Sequence, residues 1–114
     1  MKNLTIFLFH FGLLLLLFAT NVNAHFGVVI PSDSMVSQED SREISLQLAF
    51  LHPFENIGMH LGEPASFTVN YAGNTTELKT HLKPFNLAKH TAWQTNYRIR
   101  KPGVYVFTMR PRPF

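Results

Sequence analysis

Five residues carry most of the chemical potential of this chain: His25, His52, Glu55, Met59 and His60. The sequence has no cysteine, so disulfides, thiolate ligation and iron–sulfur clusters are excluded, and a metal must be held by imidazole, thioether, carboxylate or the amino terminus. His25 stands out because Val22-Asn23-Ala24 reads as a small-residue cleavage site behind an apolar stretch. Cleavage after Ala24 leaves His25 first in the mature chain. Its α-amine and ring Nδ1 would then close a six-membered chelate, and one more imidazole would complete a T-shaped set of three nitrogens. Tetragonal nitrogen geometry suits Cu(II) or Ni(II) better than Zn(II), which prefers a tetrahedron. The free amine ordinarily titrates at about 7.7–8.0, so a metal displaces its proton readily at neutral pH. Gly27, third in the mature chain, excludes the other amino-terminal copper and nickel motif, which needs histidine there.

The further ligands fall in Leu51-His52-Pro53-Phe54-Glu55-Asn56-Ile57-Gly58-Met59-His60. Pro53 restricts His52 to an extended backbone, which would hold its imidazole at the rim of a sheet. His60, Met59 and Glu55 could approach the same point if the loop folds back, Met59 favouring Cu(I) and Glu55 orienting a ligand from behind. Each has a plainer reading too: a strand-end histidine as a hydrogen-bonding cap, a methionine as core filler. His81 and His90 read as solvated surface, and Asn74-Thr75-Thr76 as a polar turn that happens to match a glycosylation acceptor. The chain has no Ser-His-Asp order, nucleophile elbow, phosphate-binding glycine loop or paired carboxylates in a cleft, so no enzyme is expected.

The elements that must position these residues are mostly strands. Residues 1–24 have the parts of an export signal: Lys2, then an apolar run from Ile6 to Phe18, too short for the roughly twenty residues of a bilayer-spanning helix. The remaining residues, 25–114, suffice for one small domain. Ile44, Leu46, Leu48 and Phe50 alternate with Ser45, Gln47 and Ala49, the mark of a half-buried strand. Phe67, Val69 and Tyr71 lead through Ala72-Gly73-Asn74 into a returning strand at Leu78, Thr80 and Leu82, a hairpin pattern ended by Lys83-Pro84. Trp93, Thr95, Tyr97 and Ile99 share one face. Lys101-Pro102-Gly103 fits a type II turn, and Tyr105, Phe107 and Met109 return as a third pair. Short, regularly spaced strands rich in aromatic and β-branched residues predict an all-β, antiparallel sandwich. The basic residues Arg98, Arg100, Lys101, Arg110 and Arg112 mostly alternate with apolar ones, which predicts a solvated strand face and no nucleic-acid partner. Ending at Phe114, directly after a strand, leaves sheet edges unpaired, so the expectation is a sandwich lacking its C-terminal part.

Ala24-His25-Phe26-Gly27, Ile30-Pro31-Ser32, Phe50-Leu51-His52-Pro53-Phe54-Glu55 with Gly58-Met59, Ala92-Trp93-Gln94-Thr95 and Arg100-Lys101-Pro102-Gly103-Val104-Tyr105 together resemble the exported proteins described as periplasmic components of nickel or cobalt uptake. The resemblance covers nearly the whole mature chain. It implies an Ig-like or prealbumin-like β-sandwich, delivered to the periplasm by a cleaved signal peptide. Its cargo would be a divalent ion, Ni(II) or Co(II) first and Cu(II) second, handed to an inner-membrane uptake system, with no membrane span left after cleavage. The competing expectation is a non-metal sandwich that contacts protein or carbohydrate through Phe54, Phe85 and Trp93.

Overall fold

The computed structural model describes residues 1–17, 26–52 and 57–113. Helix α1 spans Lys2–Leu17 and is apolar on all sides, with Phe7, Leu8 and Phe9 each more than half exposed. His10 satisfies its Nδ1 on the carbonyl of Ile6, 2.7 Å away, which keeps a polar ring compatible with an apolar helix. At 1.5 Å per residue the helix is about 24 Å long, below the ~30 Å of a hydrocarbon layer. No helix among the described residues is long and apolar enough to cross a membrane.

Among the described residues eight strands follow: β1 Phe26–Pro31, β2 Glu43–His52, β3 Ile57–Met59, β4 Ser66–Tyr71, β5 Asn74–Glu77, β6 Lys83–Leu87, β7 His90–Arg98 and β8 Tyr105–Arg110. They form two antiparallel sheets, an all-β sandwich-like fold. The larger runs β1-β2-β7-β6 with β3 also paired to β2, and the smaller runs β5-β4-β8. The core lies between them. Ile44, Leu46, Leu48 and Phe50 of β2 meet Phe67 and Val69 of β4, with Leu61, Leu78 and Leu82 closing the sides. Fully burying each such side chain contributes about 1.5–3 kcal/mol. Ala49 and Ala92, on the other face, are also buried; they sit opposite the larger Val28 and Phe85.

Three expectations need correction. The strand expected through Leu78–Leu82 stops at Glu77, because the Glu77 carboxylate accepts the amides of Lys79 and Phe67 and starts a 3-10 turn over Lys79–His81. Lys83-Pro84 does not end a strand but begins β6, where proline is tolerated because β6 is an edge strand. The third pair is not a hairpin: β7 bonds to β2 and β6 in the larger sheet, β8 to β4 in the smaller one. Lys101-Pro102-Gly103 therefore carries the chain across the sandwich. Gly103 has φ +140°, away from the +80° of a type II turn.

Candidate functional site

β2 is the longest strand, and His52 is its last residue. On one side β1 pairs with it from Phe26 opposite Leu51; on the other, β3 places Met59 opposite Phe50, Gly58 opposite Leu51 and Ile57 opposite His52. The end of β2 is thus gripped from both sides. Side chains alternate along a strand, so His52 shares the inward face of Phe50, and its ring is half-buried with Nδ1 shielded from solvent.

Met59 is half-buried and packs on the core cluster, so its thioether has a packing duty. His60 is exposed, but its Nδ1 accepts the backbone N–H of Thr91 at 2.9 Å and lies 3.1 Å from the Thr91 hydroxyl. A ring nitrogen that accepts cannot carry the proton, so neutral His60 holds it on Nε2. Ligation through Nε2 would require shifting that proton and giving up the Thr91 bond. His60 instead ties the chain after β3 to the start of β7, a tie continued by Leu61, whose amide donates to the Thr91 carbonyl. The Leu61 carbonyl accepts the indole N–H of Trp93. Trp93 is accordingly part-buried and anchored, and Phe85 is half-buried. His25, Phe54 and Glu55 lie outside the described residues.

His90 is the residue that sequence reasoning misplaced. Its ring is half-buried, packs edge-on to His60 at 5.1 Å and covers Gly58, where a Cβ would stand 3.0 Å from its Cδ2. Its Nδ1 is buried with no hydrogen-bond partner among the described residues. The signal available in the sequence was Gly58 itself, since an isolated glycine in a strand often marks close approach by another group. Three histidines, His52, His60 and His90, therefore belong to one end of the larger sheet. Among the described residues, no three His, Cys, Asp or Glu side chains come together to hold a metal ion.

Residues 22–114 match the family described as a domain of unknown function, DUF4198. The chain belongs to this family. The DUF4198 match begins just before β1 and takes in both sheets. No curated protein matches the chain. No solved structure matches it.

Proposed function

We propose that this DUF4198 protein is exported by a cleaved signal peptide and works in the periplasm as a non-enzymatic metal-binding accessory. It presents Ni(II) or Co(II), with Cu(II) as the third candidate, to an inner-membrane uptake system. The ligands are the α-amine and imidazole of His25 and the imidazole of His52. One observation supports this reading above the others: Phe26 pairs with Leu51. The residue before Phe26 is tethered within one peptide step of about 3.8 Å, and the residue after Leu51 is His52, so both candidate ligands adjoin the same strand pair. His60 and Met59 are not needed as ligands, having bonds and packing of their own. Glu55 keeps the outer, orienting role.

Calorimetric titration of the chain starting at His25 should show tight Ni(II) or Cu(II) binding. That binding should vanish when one extra residue precedes His25, because the amine is then an amide. Unchanged affinity would overturn the reading. At a hundredfold excess over Kd the metal should stabilise the fold by about 2.7 kcal/mol, raising its melting temperature. A second reading, a non-metal module that contacts protein or carbohydrate through Phe54, Phe85 and Trp93, predicts a melting temperature indifferent to metal; of these, Phe85 and Trp93 are half-buried.

A further inference from the structure

A cleft of about 490 Å³ opens at the other end of β2, between the two sheets. Its aromatic wall follows from strand register. Tyr71 of β4 and Tyr105 of β8 are cross-strand partners and stack at 4.4 Å, while Tyr97 of β7 meets Tyr105 edge-on at 5.8 Å from the opposite sheet. Offset and edge-on pairs of this kind hold rings at fixed angles.

The basic loop is fastened to that wall. The Tyr71 hydroxyl donates to the Pro102 carbonyl at 2.9 Å, and the Tyr105 hydroxyl donates to the Lys101 carbonyl at 2.9 Å while accepting the Lys101 amide at 3.3 Å. Gly103 permits the close approach: a Cβ there would stand 2.8 Å from Tyr71 Cε2, at a φ of +140° that side chains disfavour. Lys101 and its neighbour Arg100 are thus carried on backbone that the tyrosines hold in place.

The charge is one-sided. Arg98, Arg100 and Lys101 line the cleft with no carboxylate in the lining. Arg98 lies opposite Glu43 in the β2–β7 ladder, whereas Arg100 and Lys101 follow the end of β7 and have no strand partner. Burial lifts the Tyr97 phenol above its usual range and nearby Tyr105 adds to this, while Arg100 draws it down. The hydroxyl therefore remains a protonated donor, within reach of the Arg100 charge.

We propose that this cleft binds a small organic anion with a flat ring and a carboxylate head. The ring lies against Tyr97 and Tyr105, and the carboxylate is taken by Arg100 and Lys101. A guanidinium fork matches a carboxylate in two parallel hydrogen bonds, and the volume lies in the usual range of about 300–1,000 Å³ for small-molecule sites. Ile44, opposite Tyr97, is eight residues from His52 along β2, or about 27 Å at strand rise. The cleft therefore functions whether or not the His52 end holds a metal.

The test is a proton NMR titration of the full chain, freed of metal by chelator, with 4-hydroxybenzoate and with its neutral analogue 4-hydroxybenzamide. The benzoate should produce saturable shifts of the Tyr97 and Tyr105 ring signals, and the amide should bind at least about tenfold more weakly. The Arg100→Gln/Lys101→Gln variant should lose a similar factor. Both residues are exposed, so its melting temperature should hold, and the acid-versus-amide comparison on the unaltered chain needs no variant. Equal binding of acid and amide, shifts without saturation, or full affinity in the variant would each overturn the proposal.

Discussion

At the residue scale, single polar atoms decide where elements end. Glu77 is exposed, yet it accepts the backbone amides of Lys79 and Phe67, and those bonds, Lys79 first, hold its carboxyl below the usual range. A carboxylate whose pKa falls on folding contributes stability at pH above its unfolded value, and that stability is lost as pH falls through the lowered folded value. Glu77→Gln should therefore flatten the acid side of a stability–pH profile measured by urea denaturation between about pH 5 and pH 2. Asp40, lowered by its bonds to Ser37, adds to the slope that remains, and an unaltered profile would show that the Glu77 bonds do not persist in solution. None of this was legible in the sequence, where Leu78, Thr80 and Leu82 look like a continuing strand. The chemistry of His60 was hidden for the same reason: residue type and spacing announce an imidazole, but only the Thr91 amide on Nδ1 fixes its proton on Nε2.

At the element scale, the strands with strict alternation were the legible ones. β2 reads directly from Ile44, Leu46, Leu48 and Phe50 because their face is fully buried while Ser45 and Gln47 on the other are only half-buried. The β4–β5 hairpin reads from Ala72-Gly73, both at positive φ with Tyr71 opposite Asn74. The β6–β7 hairpin was not legible. Ala88 and Lys89, at φ +49° and +69°, form its two-residue turn between Leu87 and His90, and neither residue type signals a turn of that hand. Their left-handed backbone leaves room for improvement. Replacing the pair by Asn-Gly (A88N/K89G) should raise stability by about 0.5–1 kcal/mol, since glycine and asparagine accept that conformation at lower cost. A urea midpoint that fell instead would show a different turn in solution.

At the scale of the whole molecule, two sheets share one small core, and Phe67 sits at its centre, fully buried and stacked on Phe107 at 6.3 Å. Phe67→Ala should cost about 3–5 kcal/mol, much of the 5–15 kcal/mol that holds a typical domain. Loss of a cooperative thermal transition would be the readout, and a shift of only a few degrees would mean the core relaxes around the gap. The sequence by itself determined that the chain is an antiparallel sandwich without thiol chemistry, and that an imidazole ends its longest strand. Alternation, proline and composition act locally, so one chain records them directly. Only the tertiary structure decided that β7 and β8 part into different sheets and that His90 joins His60 over Gly58. It also decided that three tyrosines from both sheets wall a cationic cleft. Those outcomes depend on which distant residues share the core, a choice made by the free energy of the whole packed arrangement rather than by any local pattern.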